Sequence, residues 1–358
     1  MSNCRFMYAN LLESPEAIGL SSTRAGLVGM PAPQARGTAV AYAAGDYTGS
    51  LDQLFLLSID SLAAGPEVGQ ASFSWRRASS DSWEATGVPT SDSFVDLTEG
   101  VRVKWSSGPG QDFFLGDAWS ILAVRSFGAA SLLDGDRDTQ WESLGCAEES
   151  ITWDLGQALP GSALLLADHN LSPAASATLL ADETGDWLAP AFSQDLAVTS
   201  PHLVYFPATP LSYRHWRLIL RDPANPGGRL SASLLYWGPF FEPSRNFGMR
   251  HAWSRNAQRT ANQTSAGKLT GDARGIARSL SLSFQGVTAA DAAGFAEMFS
   301  AVHQTDPGRL VPLFFTPDPT QPGETLYCLP PQSLSTNQLH QGRYGLELSL
   351  EEVIRSHV

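Results

Sequence analysis

Apolar and polar positions alternate with a period of two along much of this chain. Phe55, Leu57 and Ile59 alternate with their neighbours, as do Phe73 and Trp75, and Val101, Val103 and Trp105. Leu280, Leu282 and Phe284 alternate with Ser279, Ser281 and Ser283, and Tyr344, Leu346, Leu348 and Leu350 repeat the pattern. Successive strand side chains point to opposite faces, so each run predicts a strand with one buried face. The last run is expected to pair with the Leu280–Phe284 run and close a sheet. One stretch changes period. Thr288 stands three residues before Asp291, close to a capping box. Phe295, Met298, Phe299 and Val302 then fall at i, i+3, i+4 and i+7, which predicts a helix with one apolar stripe. After Pro307-Gly308, Val311 to Phe315 reads as a buried strand ended by Pro317 and Pro319.

The 358 residues allow two or three domains with ample core. Charged content is low at 16%, and 32 Gly and 23 Pro suit a loop-rich β protein better than a helical one. Residues 1–45 read as an N-terminal arm or early strand. Residues 46–124 read as a small antiparallel β domain, with turn clusters at 63–66, 79–82 and 106–110 between its strands. Residues 125–240 form a second β unit, and residues 241–358 carry the helix and the last strands.

The second β unit opens on Asp134-Gly-Asp-Arg-Asp-Thr-Gln-Trp141. That run resembles the "DG(N/D)xxTxW" signature of discoidin-like jelly rolls, the coagulation-factor type C domains. Ile151–Gly156 resembles the family's "DLG" strand end, His215–Leu220 its late core strand and Leu230–Gly238 its closing strand. The resemblance implies a jelly roll with Trp141 in the core and a structural Ca²⁺ held by Asp134, Asp136 and Thr139. Oxygen ligands on a tight loop suit a hard cation. In the metal-free alternative, Asp134 and Asp138 cap turns through backbone amides. An EF-hand is excluded, because Thr139 stands where Gly is needed and Gly145 where Glu is needed. The family's acidic residue just after the closing strand is replaced by Gly238-Pro-Phe-Phe, with Glu242 later. Family ligand sites lie on loops at one end, so His169, Asn170 and Trp187 are candidates for binding a host-surface glycan. Alternatively, His169 and Asn170 end a strand and Trp187 packs locally.

The C-terminal third resembles the tube-like domain of distal and minor tail proteins of long-tailed bacteriophages. The residues that carry this are Arg278-Ser-Leu-Ser-Leu-Ser-Phe284, Thr288-Ala-Ala-Asp291, and Pro312 through Cys328. Together the two resemblances imply a mainly β protein with a small α+β part. It would combine β-sandwich modules, including the jelly roll, with a tail-tube-like domain carrying one packed helix. They imply a virion tail subunit assembled in the host cytoplasm, with identical subunits and other tail proteins as partners. A dedicated glycan-binding adhesin is the alternative, and a polysaccharide-degrading enzyme comes third.

The net charge of −13 argues against a general nucleic-acid binder. One window departs from it. Between 245 and 278, Arg245, Arg250, Arg255, Arg259, Lys268, Arg274 and Arg278 face Asp272 alone. It is either a solvated loop or an arm docking on an acidic neighbour, such as an identical subunit. Cys4, Cys146 and Cys328 lie too far apart for a CxxC metal site, and their odd count does not suggest a disulfide framework. Residues 1–10 have no signal-peptide run, and no stretch approaches the length of a membrane span. There is no GxSxG, HExxH, P-loop or GxGxxG. The adjacent acids Asp182/Glu183 and Glu351/Glu352 read as solvated faces. No catalytic residue is expected, and an enzyme is argued against.

Overall fold

The alternating runs become antiparallel strands in the computed structural model, which describes residues 3–248, 252–263, 269–303 and 313–355. The chain is mostly β, with one α-helix among the described residues. It divides into two compact units, Thr23–Gly128 and Met1–Ser22 together with Ala129–Val358.

In the Thr23–Gly128 unit, a six-stranded sheet is built around Ala118–Val124, Gln53–Ser61 and Ser72–Arg77. A three-stranded sheet is formed by Val40–Ala44, Arg102–Ser106 and Val95–Asp96. Their inner faces share one core of Phe55, Leu57, Ile59, Phe73, Val103, Trp105, Phe113, Trp119 and Ile121. Trp105 is its hub, with ring centroids 4.8 Å from Phe73, 5.9 Å from Trp119 and 6.1 Å from Phe113.

In the other unit, a sandwich pairs a five-stranded sheet with a three-stranded one. The first runs Phe192–Leu196, Ser176–Asp182, Leu211–Arg221, Glu149–Gly161, Ile18–Leu20, and the second Leu203–Tyr205, Ala163–Ala167, Leu234–Gly238. Trp153, Trp216 and Trp237 fill the space between them, with Trp216 and Trp237 centroids 4.0 Å apart. Trp141 is fully buried there, and its indole donates to Ser22 O at 3.0 Å. Gly161 is required by this packing, since a Cβ there would stand 2.4 Å from Trp237 Cε2.

Beyond the sandwich, Leu280, Leu282 and Phe284 pair with Leu350, Leu348 and Leu346, as the alternation predicts. The four-stranded sheet runs Ala252–Gln263, Leu269–Val287, Arg343–Glu351, Leu334–His340. The helix spans Ala289–Ala301 behind a complete Thr288/Asp291 capping box. Phe295 and Met298 enter the core with Phe284, Leu346 and Leu348, and Val302 is buried at the helix's C-cap. Phe299 does not; it lies at the stripe's edge, 4.4 Å from the His303 ring. The strand expected from Val311 is described as Leu313–Thr316. Val311, Pro312 and the Pro307-Gly308 turn lie outside the described residues, as do Arg250, Lys268 and the side chains of Arg259 and Arg274.

Residues 1–45 do not form one arm. Arg5–Met7 pairs with Leu313–Thr316, Ile18–Leu20 edges the sandwich, and Leu27–Val28, Ala32–Gln34 and Val40–Ala44 belong to the Thr23–Gly128 unit. Strands of two or three residues are held by their partners, and they are too short to show a period. The sandwich and the C-terminal elements are not separate bodies either. Every residue of Ala163–Ala167 is buried, on both faces of the sheet. Leu164 and Leu166 face the sandwich core, whereas Ala163, Leu165 and Ala167 pack with Met7, Phe314 and Tyr327.

Candidate functional site

The two ends of the sandwich have different fates. At one end, the signature loop closes on itself. Asp134 Oδ1 accepts from Asp136 N at 2.9 Å, and Asp136 Oδ1 accepts from Asp138 N at 2.9 Å. The Thr139 hydroxyl lies 2.6 Å from Asp134 Oδ2 and 3.0 Å from Asp136 O. The Thr139 hydroxyl thus ties together the Asp134 and Asp136 oxygens named from the sequence, and oxygen donors of this kind suit a hard cation. Glu242 does not join them; it accepts from Asn3 N and Arg5 Nε at 3.0 and 2.8 Å. Arg137 leaves the loop to pair with Asp168 and to donate to Val353 O, while Tyr327 OH donates to Gly135 O at 2.8 Å. C-terminal residues thus cover this end.

His169 and Asn170 lie at the same end, and both are occupied. Buried His169 donates from Nε2 to Thr199 O at 2.8 Å and accepts from Leu171 N at Nδ1. Burial holds its imidazole below the usual range. Asn170 donates to Arg229 O and accepts from Ser231 N, both at 2.9 Å. These contacts staple loops together, which is the strand-ending alternative rather than a sugar contact. Trp187 stands apart from both. Ser176–Asp182 separates the two loops, and seven residues of strand span roughly 20 Å.

The Trp187 end carries polar groups turned to solvent. Trp153 and Trp216 point into the core, so alternation turns their neighbours Asp154 and His215 outward. The two face each other in the register. Arg214 grips Asp154 with a fork, Nε to Oδ1 and Nη2 to Oδ2, each at 2.8 Å. Gly156 N adds a bond to Oδ1 at 2.8 Å, and His215 Nδ1 lies 3.8 Å away. The Arg214 fork, helped by Gly156 N and the charge of His215, holds the Asp154 carboxyl well below the usual carboxylate range. His215 also pairs in register with Asp182, which shapes the next loop. Asp182 accepts from Thr184 N at 2.7 Å, from its hydroxyl at 2.8 Å, and from Asp186 N and Ala191 N. These bonds, led by Thr184 N, lower its carboxyl to about 2. The loop passes over His215, since a Cβ at Gly185 would lie 3.5 Å from the imidazole Cγ. Its tip presents half-buried Trp187 and Leu188, which is 97% exposed.

Among solved structures, the chain is similar to several small β modules. One is a Streptococcus pneumoniae fucose binding module, SpX-3, at 14% identity over 29% of this chain and 77% of that one, with a TM-score of 0.23. Another is the family 32 carbohydrate-binding module of C. perfringens NanJ in complex with galactose, at 14% identity over 32% and 85%, with a TM-score of 0.26. A third is the lectin domain of lectinolysin complexed with Lewis B antigen, at 14% identity over 30% and 78%, with a TM-score of 0.24. No protein-family model matches the sequence, and no curated protein matches it.

Asp154, Arg214 and His215 were not singled out from the sequence, although Asp154 and His215 lie in the quoted strand motifs and Arg214 directly precedes one of them. The signal was available: Asp154 and His215 each flank an inward Trp, and Arg214 stands next to His215. What alternation could not supply was the register that sets Asp154 beside His215. Chemically the cluster offers a fixed cation and an imidazole, beside a loop that carries an indole. Neither Arg214 Nη1 nor His215 Nε2 donates to another described residue. Such groups can bond hydroxyls while a ring face covers sugar C–H groups.

Proposed function

We propose that this protein binds a glycan through the Asp154–Arg214–His215 cluster and the adjoining Trp187 loop, without turnover. The observation that carries this reading is the fork of Arg214 on Asp154. It fixes the guanidinium at the mouth of the loop end and leaves donors free for hydroxyls. The same fork keeps Asp154 ionised, which suits a hydrogen-bond acceptor and not the general acid of a glycosidase. The test is a glycan array that includes fucose- and galactose-terminated oligosaccharides, the sugars named for the similar modules. Arg214→Gln and Trp187→Ala should each weaken the best ligand about tenfold or more, and Asn170→Ala should not. Binding that survives both substitutions would sink the assignment.

The signature loop we assign to a structural Ca²⁺. Asp134, Asp136 and Thr139 would hold it through oxygens, and the ion would brace the loop. Calcium at 100 times its dissociation constant should stabilise the protein by about 2.7 kcal/mol. The gain should vanish in Asp134→Ala; an unchanged melting temperature with calcium or chelator would overturn the assignment.

A finer reading places the protein in the tail tip of a tailed bacteriophage, assembled with identical subunits and other tail proteins. It rests on the sequence resemblance and on one structural feature. Among the described residues, Leu269–Ala277 pairs in the sheet only with Ala252–Gln263, because Arg343–Glu351 begins pairing at Ser279. An isolated two-stranded ribbon is marginal in water, so a neighbouring subunit would stabilise it. Antibody against this chain should label the tail tip of intact particles; label that is absent or confined to the capsid would refute it.

A further inference from the structure

In the Thr23–Gly128 unit, the three-stranded sheet turns an unusual face to solvent. Its inner face buries Ala41, Val103 and Trp105. Its outer face exposes Val40, Tyr42 and Phe94 at 51%, 41% and 40%. Two cations share that face. Lys104 stands opposite Tyr42 in the register, and Arg102 stands opposite Asp96 and Ala44. The Lys104 ammonium lies 4.9 Å from the Phe94 ring centroid and 5.8 Å from that of Tyr42. Arg102 lies 5.5 Å from Phe94. Neither cation forms an ion pair among the described residues, although Asp96 faces Arg102.

We propose that this face is a binding platform for an anionic, uronate-bearing polysaccharide. It uses none of the jelly-roll residues discussed above. A cation steadied by aromatic rings keeps its full charge for an incoming anion, whereas one paired with a carboxylate does not. Exposed rings cost hydration, and clustered exposure of this kind marks a contact surface. Tyr42 and Phe94 flank the Lys104 strand on either side, so they stand two strand spacings apart, about 10 Å. A sugar chain laid across the sheet would meet apolar ring surface at both edges and Lys104 and Arg102 between them. Carboxylates on the sugars would complement those cations. A neutral glycan would leave them unused. A nucleic acid needs more cations than two, on a chain whose net charge is −13.

The experiment uses the full-length chain, with immobilised polygalacturonate, neutral galactan and a single-stranded oligonucleotide as probes. Polygalacturonate should bind, weaken with added salt, and lose about tenfold or more in Lys104→Gln, the size of one charge-assisted contact. Tyr42→Ala should also weaken it, and Trp187→Ala should not. Lys104 and Lys268 are the chain's only lysines. Polygalacturonate should therefore slow reductive methylation of Lys104 and leave Lys268 unchanged. Equal binding by wild type and Lys104→Gln, or no protection of Lys104, would overturn the proposal. So would preferential binding of the oligonucleotide. A Lys104-dependent dimer that ignores polygalacturonate would also overturn it, and would assign the face to a second copy.

Discussion

Asn170 supplies two hydrogen bonds that join the loop after Ala163–Ala167 to Arg229 and Ser231. Both bonds are open to solvent, so water can replace the lost amide, and Asn170→Ala should cost about 0.5–1.5 kcal/mol in urea unfolding. His202 makes a sharper test, because its protonation state is tied to the same corner. The buried ring accepts from Asp168 N at Nδ1 at 3.2 Å, which requires a neutral imidazole. Burial lowers it from 6.5 to about 4, against the pull of Asp168 and with help from Arg137. A group depressed in the fold binds its proton more readily when unfolded. Stability is therefore fully present above pH 6.5 and falls as pH drops towards 4, by on the order of 3 kcal/mol. Urea midpoints should fall over that window in wild type and fall less in His202→Asn; parallel curves would remove His202 as the cause. None of this was legible from sequence. His169 and Asn170 look like ligands because exposed and stapled polar residues have the same letters. Only the packing of Thr199, Arg229 and Ser231 around them decides.

Among the elements, those with a long period were legible and those without one were not. The Thr288 side chain accepts from Asp291 N at 3.1 Å, and the Asp291 carboxylate accepts from Thr288 N at 2.8 Å. Asp291 also accepts from Ser244 N at 2.8 Å, so the cap anchors the chain that enters this domain. Burial works to raise its carboxyl, but the Ser244 and Thr288 bonds win and lower it. Thr288→Ala should cost about 1 kcal/mol as a lost N-cap. Asp291→Ala should cost more, because Ser244 loses its partner as well; equal losses in urea unfolding would show the Ser244 bond to be idle. The strand Leu280–Phe284 and its partner could be paired from sequence because a one-residue slip would expose every Leu. Arg5–Met7 could not be placed. Its three residues show no period, and its partner lies about 300 positions away along the chain.

At the scale of the whole Ala129–Val358 unit, the sequence suggested a jelly roll carried beside a second domain, yet the two share apolar surface. Leu165, Val204 and Tyr236 of the sandwich meet Met7, Phe314 and Tyr327 in one buried cluster. Phe314 lies 6.1 Å from the Tyr236 ring and 5.1 Å from that of Tyr327. The sequence hinted at this in the unbroken run Ala163–Ala167, where a strand with one wet face would alternate. Cutting Phe314 to Ala removes a ring from that cluster, at a cost of about 3–5 kcal/mol. If the sandwich and the C-terminal sheets open as one cooperative body, the loss appears in both. Hydrogen exchange followed by mass spectrometry should then show the slow amides of 163–167 and 234–238 speeding up by the same free energy as those of 313–316 and 326–328. Acceleration confined to 313–328 would mean that the jelly roll keeps its stability alone, and that the shared cluster joins two bodies without coupling them.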